Sequence, residues 1–472
     1  MLFNSLEFLI FFPVVLVVYY ILNRRSQNVW LLLCSYFFYG WWDWRFTSLL
    51  MISTVLDFNC ARQIHRRPRM SLFFLVVSLC GNLGILCTFK YLNFFVDSAI
   101  RIFNLFHFNP DLPTLKVILP IGISFYTFQT LSYTIDVYRG KLKPTNNILD
   151  FALYVSIFPQ LVAGPIERAT NLLPQLERKR VVDGQMVARG LFLILLGYTK
   201  KVGIADSIAP FVDRVFGNPN HQSSTRLLSA LYLFSFQIYC DFSGYSDIAR
   251  GISKLFGIEI MVNFNQPYFS KNITEFWRRW HISLSSWVRD YLYIPLGGNR
   301  YGKVKTYRNI MITMILVGLW HGANWTFVLW GTLHGLYLVI YRFVIGQYRS
   351  KVASHFKLVS TNIRHILCIL FTFQLVALTW IFFRSADLSQ AFAYLKGIVI
   401  WHGPLIHVGA LFRVFFFGAL IVFIDWMQYK RNNHVAMLEW NWIMRGTLYV
   451  LFVFIIILGK TYESVPFIYF QF

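Results

Sequence analysis

The stretch ILVGLWHGANWTFVLWGTLHG, residues 315–335, places His321 between Trp320 and Gly322 in a strongly apolar run. An imidazole with a pKa near ~6.5 can take a proton from a hydroxyl group at neutral pH. Asn324 follows closely and could orient a ring nitrogen or a ligand. An ionisable side chain in such a run is costly, so it is either a functional group or a neutral residue that ties two helices together. The residues alone leave both interpretations open.

A second histidine, His281, lies in NITEFWRRWHISLSSWVRDYLYIPLGG, residues 272–298. Apolar positions there repeat at spacings of three, four and three residues: Trp277, Trp280, Leu284 and Trp287. The spacing predicts one amphipathic helix, with Arg278 and Arg279 outside the apolar stripe. Such a helix is expected at the cytoplasmic membrane interface. His281 is then either a substrate contact or an interfacial residue bonded to the backbone.

The composition predicts that a membrane surrounds these histidines. The chain has 472 residues, of which 56% are hydrophobic and 14% charged. Apolar runs recur from end to end, the clearest at 6–22, 29–40, 46–58, 71–89, 227–239, 309–320, 325–341, 366–383, 411–424 and 447–458. We predict an all-α polytopic membrane protein with roughly a dozen transmembrane helices. No polar stretch suits a separate soluble domain, so one domain over 1–472 is predicted, with a core at about 71–345 and extra helices at about 362–472.

The charge pattern indicates orientation and partners. The net charge of +23 comes from basic clusters between the apolar runs. These clusters are typical of cytoplasmic loops that face anionic lipid or an anionic substrate carrier, and not of nucleic-acid binding. The first apolar run lacks the features of a cleaved signal peptide and is followed by Arg24 and Arg25. Lys430 and Arg431 precede the last run, so both termini are expected outside.

The apolar runs at 309–320 and 325–341 are predicted to form a hairpin. Basic residues lie before the first run, at 300–308, and after the second, at Arg342 and Arg349. If both clusters are cytoplasmic, residues 321–324 lie at the far end or at a break deep in the membrane. Gly322 favours such a break and opens space beside the imidazole. His334 is expected to be a packing residue.

Polar and irregular stretches interrupt the helical pattern in the middle of the chain. Pro120 and Gly122 open one apolar run, GPIERA lies at a helix end, and Asp241 and Asp247 stand among aromatic residues. Irregular backbone and carboxylates occur at membrane depth where they are buried in protein or line a wet cavity. The pattern therefore predicts a polar chamber. Asp247 is either part of it or an arginine's partner that pins helices.

The six cysteines are scattered through apolar segments without a C-x-x-C pair: Cys34, Cys60, Cys80, Cys87, Cys240 and Cys368. This pattern favours buried packing thiols over a metal site or a disulfide framework.

Long motifs in the chain resemble the membrane-bound O-acyltransferase family. They are FQIYCDFSGYSDIARGISKLFGI, NFNQPYFSKNITEFWRRWHISLSSWVRDYLYIPLGGNR and GLWHGANWTFVLWG. The start, LFNSLEFLIFFPVVLVVYYIL, and GPIERA are similar to the bacterial polysaccharide-modifying branch. The resemblance covers nearly the whole chain.

The resemblance implies a ring of helices around a tunnel that joins a cytoplasmic donor entrance to an outward-facing funnel. His321 falls on the central catalytic position of the family and His281 on the second one. Arg278, Arg279 and Trp280 are expected at the donor side of the tunnel. Residues expected elsewhere along it are Asp247, Trp320 and Asn324.

The implied enzyme is an acetyltransferase of the bacterial inner membrane. Its donor is an acyl thioester, acetyl-CoA or an acyl-carrier protein, and it needs no permanently bound cofactor or metal. A periplasmic SGNH-hydrolase-like partner then acetylates an exopolysaccharide such as alginate. Three alternatives stay open: D-alanyl or other acyl transfer to a cell-wall polymer, a lipid-acylating enzyme, and a transporter without chemistry. Inverted repeats would favour transport, and none is visible in the sequence.

The tail SVPFIYFQF, residues 464–472, carries its last hydroxyl on Tyr469. Tyr469 is either an aromatic residue of the membrane interface or an acyl relay to the partner. The tail resembles the ending of the small companion peptide of teichoic-acid D-alanylation, in which such a tyrosine is proposed to relay the acyl group.

Overall fold

The computed structural model describes residues 1–108, 118–162, 164–355, 361–404, 406–459 and 467–468, with side chains omitted at 345–355 and 361. Over these ranges the chain forms helices joined by loops and turns, and no strand occurs. The predicted all-α class is confirmed. Contacts divide the chain into two compact units, unit 1 (Met1–Ile194 with Ile248–Met261) and unit 2 (Leu195–Asp247 with Val262–Phe472). That they act as one domain, with a core and extra helices, stays a prediction.

Unit 1 holds nine helices within the described ranges. They are α1 Leu6–Ile21, α2 Arg24–Gly40, α3 Thr47–Arg66, α4 Ser71–Leu86, α5 Leu92–Leu105, α6 Ile123–Tyr138, α7 Ile148–Ser156, α8 Phe158–Leu161 and α9 Ala169–Glu177. Side-chain caps fix the first boundaries, since Ser5 accepts from the amide of Phe8 and Asn23 from that of Ser26. Gly122 precedes α6 with φ +76°, a conformation that favours glycine.

The GPIERA segment is built around a buried glutamate. It lies between α8 and α9, as predicted from its glycine and proline. Glu167 accepts hydrogen bonds from the Met261 amide and from Asn171 Nδ2, the latter at 2.8 Å. A side chain at Gly164 would place its Cβ 2.5 Å from the Cα of Gln160, so only glycine fits. The segment thus joins distant parts of unit 1.

Two helices, α10 Gly184–Tyr198 and α12 Ser224–Leu255, contribute residues to both units. The helices wholly in unit 2 are α11 Ser207–Gly217, α13 Ile273–Arg279, α14 Ile282–Val288, α15 Gly302–His321, α16 Trp325–His355, α17 Thr361–Arg384, α18 Leu388–Val399, α19 Val408–Arg431 and α20 Trp442–Gly459. A wide π-helical turn, Thr199–Asp206, precedes α11, and another, Arg289–Tyr293, follows α14. Rare turns of this kind are frequent at functional sites.

Five described helical segments are long and apolar enough to cross a bilayer: Pro68–Leu105, Trp325–Val344, Asn362–Arg384, Val408–Arg431 and Trp442–Gly459. They support a multi-pass membrane protein. Our estimate of roughly a dozen spans is larger, and the positions of the termini stay predictions.

Two expectations are wrong. The single amphipathic helix at 272–298 is broken into α13 and α14, and His281 stands at the break with φ +43°. Trp280 is buried and does not form part of an interfacial stripe. Three cysteines, Cys80, Cys87 and Cys368, are exposed on apolar helix surfaces and are not buried thiols.

Candidate functional site

His321 is the last residue of α15, at the apex of the predicted hairpin with α16. The two helices cross at Gly318 and Gly331, where the backbone of the facing helix leaves no room for a side chain. A Cβ on Gly331 would lie 2.2 Å from the Met314 carbonyl oxygen, and one on Gly318 would lie 2.2 Å from that of Phe327. The hairpin prediction is confirmed, and the glycine crossing fixes the place of His321. Gly322 opens no space, because the ring of Phe327 occupies it.

Aromatic rings enclose His321, which is 4% exposed. Trp320, Trp330 and Phe383 meet its ring edge to face, with centroid distances of 4.9, 5.0 and 5.2 Å. Trp320 also contacts the ring of His281, at 6.0 Å. One tryptophan therefore touches both histidines that the sequence singled out.

His281 is fully buried, and its partner Asn263 fixes its tautomer. The amide oxygen of Asn263 lies 3.2 Å from Nδ1 of His281 and accepts from the hydroxyl of Ser283 at 2.9 Å. A carbonyl oxygen only accepts, so we assign the proton to Nδ1 and the acceptor role to Nε2. Burial lowers the pKa of His281 to about 3, so the ring is neutral at physiological pH. The positive φ of His281 is costly for a non-glycine residue and aims this ring.

A cavity of about 640 Å³ lies beside the hairpin in unit 2. Its wall includes four arginines, Arg278, Arg289, Arg300 and Arg342. On α15 the wall includes Thr313 and Val317. Val317 lies four residues before His321, a rise of about 6 Å along the helix. The cavity thus combines a cationic rim with an apolar wall that approaches the histidine.

Two buried polar atoms of the cavity wall suggest that a polar ligand belongs there. The hydroxyl of Thr313 and the indole N–H of Trp277 have no hydrogen-bond partner within the described part of the chain. Buried donors are seldom left unsatisfied, because each costs free energy. A ligand with amide or carbonyl groups would supply the missing partners.

The other predicted residues have defined partners. Arg279 donates to Glu275 and to the carbonyl of Asn265, and Arg278 lines the cavity. Asn324 caps the start of α16 through the Thr326 amide and donates to Ala386 O at 2.7 Å. The structure therefore gives Asn324 a capping role, and its tunnel role stays a prediction.

Asp247 belongs to a buried charge network that lies in unit 2. It pairs with Lys200 at 2.8 Å, so the cation of the helix-pinning interpretation is a lysine. The neighbouring Lys201 pairs with Asp206 and Asp241. Tyr239 donates to Asp425 of α19 at 2.9 Å. The network joins α12, α19 and the π-helical turn at Thr199–Asp206.

Sequence reasoning missed three contributors to this region: Asn263, Lys200 and Lys201. The lysine pair inside an apolar stretch was a usable signal, because membrane segments rarely carry charges without a role. Asn263 gave none, since 18 residues of chain separate it from His281. His334 is a packing residue as expected, bonded to Thr379 and 5.2 Å from the Trp277 ring. Tyr469 lies outside the described residues.

The arrangement is that of an all-helical membrane protein with a buried histidine one helical turn from the wall of a cationic cavity, and such a site suits an integral-membrane acyltransferase. In the ranges described, no cluster of three or more His, Cys, Asp or Glu side chains is placed to hold a metal ion. The model of MBOAT, the membrane-bound O-acyltransferase family, matches residues 142–383. The chain belongs to this family and is an O-acyltransferase that uses an acyl donor as substrate.

Relatives are similar over most of the chain. The probable alginate O-acetylase AlgI of Pseudomonas aeruginosa is 44% identical over 396 residues, which are 83% of this chain and 73% of the relative. The protein of that name in Pseudomonas putida is 39% identical over 503 aligned residues, covering both chains fully. The peptidoglycan O-acetyltransferase of Helicobacter pylori is 38% identical over 437, with 85% and 80% covered.

Proposed function

We propose that the protein moves an acetyl group from a cytoplasmic thioester across a bacterial inner membrane for O-acetylation of an extracytoplasmic polysaccharide such as alginate. The observation that carries this proposal is the cavity whose arginine rim and apolar wall lead toward His321. The names of the relatives support acetyl as the group transferred.

The cavity suits an acyl thioester because the two ends of such a donor differ in chemistry. Its anionic end, phosphates or an acidic carrier protein, pairs with the arginines. Its thiol-bearing arm, common to acetyl-CoA and acyl-carrier protein, contains amides that can bond the Thr313 hydroxyl and the Trp277 N–H. The apolar wall then guides the thioester toward the histidines.

In the proposed step, His321 takes the proton from an acceptor hydroxyl as that oxygen attacks the thioester carbonyl. The C–S bond breaks, the leaving thiolate takes the proton from His321 and departs as a thiol, and the acetyl group remains on the acceptor oxygen as an ester. The ring of Trp320 contacts both His321 and the neutral His281, so His281 is the second histidine of the pocket. Tight packing of the rings excludes water, which would otherwise hydrolyse the thioester.

The experiment that tests the proposal uses a deletion strain and purified protein together. The intact gene is expected to restore ester-linked acetate on the polysaccharide, and the protein to release free thiol from acetyl-CoA or an acetylated carrier when an acceptor is present. Restored acetylation of the polysaccharide without any thiol release by the purified protein would favour the transporter alternative. Analysis of which polysaccharide gains acetate decides between alginate, peptidoglycan and other polymers.

Arg278→Ala is expected to raise the KM for the thioester about fivefold with little change in kcat. The physical reason is that an exposed ion pair contributes up to about 1 kcal/mol, and Arg278 lies on the rim and not beside the histidines. Thiol release at varied donor concentration measures it. Arg431→Ala removes the same charge from an exposed pair with Glu439 away from the cavity and serves as control. Equal effects of the two variants would count against a specific donor rim.

Tyr469→Phe tests the relay, in which the tyrosine oxygen is the acceptor hydroxyl. The change keeps the ring and removes one oxygen, so a residue of the aromatic belt should tolerate it. A relay cannot, and polysaccharide acetylation is then expected to fall to background while protein level stays normal. A periplasmic SGNH-hydrolase-like partner would take the acetyl group from the tyrosine ester and regenerate the phenol. Intact acetylation in this variant would favour direct transfer from the tunnel.

A further inference from the structure

The described part of the C-terminal segment, Phe467 and Ile468, is buried in unit 2. The two residues are 1% and 4% exposed. The amide N–H of Ile468 donates a hydrogen bond of 2.8 Å to Oδ2 of Asp241, on α12. Carboxylates are rarely buried without a partner, and the Ile468 amide is one of the partners of Asp241.

A lysine holds the second carboxylate oxygen of Asp241. Its Oδ1 lies 2.7 Å from the ammonium of Lys201, which is also 2.8 Å from Asp206. A hydrogen bond to an ionised carboxylate is stronger than a neutral one, and the Ile468 amide supplies it.

Ring contacts place the same segment next to the histidine pocket. The ring of Phe467 packs on Tyr245 at 5.1 Å and on Phe242 at 5.6 Å. Phe242 in turn meets His281 edge to face, at 4.7 Å. The ring of Phe242 therefore contacts both Phe467 and His281.

The start of the segment is tied to the same region. Helix α20 ends at Gly459, whose carbonyl accepts from the Ser207 hydroxyl at 3.3 Å. A Cβ on Gly459 would lie 2.6 Å from the Cα of Gly203, in the π-helical turn that carries Lys201. Gly459 and Ile468 are thus both tied to the region of this one turn, and Tyr469 follows Ile468 in the sequence.

We propose that Asp241, held by Lys201, is a docking site that positions the C-terminal segment for acyl transfer. This inference rests on the proposed function with its tyrosine relay. Asp241 is a positioning residue, because it acts through the backbone of Ile468 and not on the reacting atoms. The anchored residue, Ile468, directly precedes Tyr469 in the sequence, so the anchor acts on the residue before the proposed relay.

Ile468→Pro tests the anchor, because proline has no amide N–H and leaves Asp241 unchanged. Full-length protein is treated with carboxypeptidase Y, which also releases proline, and the trimmed products are weighed by mass spectrometry. A peptide of residues 464–472 with the same residue at position 468 is the unanchored reference. In the wild type, trimming is expected to stop before Ile468. Relative to its own reference peptide, the proline variant should be trimmed past that position at least tenfold faster than the wild type, a ratio that corresponds to about 1.4 kcal/mol. Ile468→Val retains the N–H and should stay protected.

A second pair of variants approaches from the carboxylate side and has a matched control. Asp241→Ala and Asp425→Ala each remove one buried carboxylate of the charge network. Asp241 accepts the Ile468 amide, whereas Asp425 accepts from the Tyr239 hydroxyl. Faster trimming and at least tenfold lower acetylation are expected for Asp241→Ala alone among folded variants. Wild-type trimming through Ile468, or equal trimming in both alanine variants, overturns docking.

Activity is read separately from docking. Lost protection in Ile468→Pro with wild-type polysaccharide acetylation overturns the positioning role. Lost protection with lost acetylation, restored in Ile468→Val, supports it. Absence of thiol release by the wild-type protein overturns the proposed function, while the trimming pattern still decides whether Asp241 holds the tail.

Discussion

His321→Ala is expected to abolish polysaccharide acetylation while the protein remains folded in the membrane. Loss of a general base lowers a rate by roughly 10²–10⁴, which brings transfer to background in a cellular assay. The cavity created by the change is lined by three large rings that can partly close it, so folding should survive. Ester-linked acetate on the polymer and thiol release by the purified variant measure the effect.

His321→Gln is the companion variant, because glutamine hydrogen-bonds but cannot take a proton at neutral pH. We expect it to be as inactive as the alanine variant and at least as stable. Normal acetylation in either variant would show that His321 is not the base. Loss of the protein from the membrane in both would indicate that the histidine ties the hairpin together.

Gly331→Leu is expected to match the loss of activity caused by His321→Ala and to lower the melting temperature as well. Its side chain would be forced into the Met314 carbonyl at the α15–α16 crossing, where backbone cannot give way. Overpacking of this kind costs about 1–3 kcal/mol or more, and parting the helices would displace His321. A thermal unfolding assay in detergent and polymer acetylation are measured together.

Gly335→Ala is the matched control on the same helix. Its Cβ would meet Met311 Sδ at 2.9 Å, a flexible side-chain atom that can move aside. It should therefore retain most of the activity. Equal damage from both substitutions would mean that general packing of α16, and not the crossing, supports the site.

The hairpin could be predicted because two independent patterns agree on it. Apolar runs give the helices, and flanking basic residues give their direction, so His321 had to lie at the apex. The break at His281 could not be predicted, because a spacing of three and four residues also fits a continuous helix. The backbone leaves the helix there in a conformation that no side-chain pattern encodes, and the Asn263 contact forms only on folding.

The charge network shows a similar limit. Asp241 and Asp247 could be identified as functional or pinning residues from their apolar surroundings alone. Lys201 precedes Asp241 by 40 residues and Lys200 precedes Asp247 by 47, and no periodicity links such positions. Long-range pairing is set by tertiary packing, so the sequence indicated that partners exist without saying which they are. The anchoring of Ile468 by Asp241 is of the same kind.

The π-helical turn at Thr199–Asp206 determines what a one-residue deletion in this part of the chain would do. A π turn takes up an extra residue that a regular α-helix would not hold, so a one-residue deletion there would be absorbed locally by rewinding. The change would, however, rotate Lys200 and Lys201 by about 100° and separate them from Asp247 and Asp241. A homologous protein with a one-residue gap at this place would therefore lack the ion pairs of Lys200 and Lys201, even where the flanking segments align well.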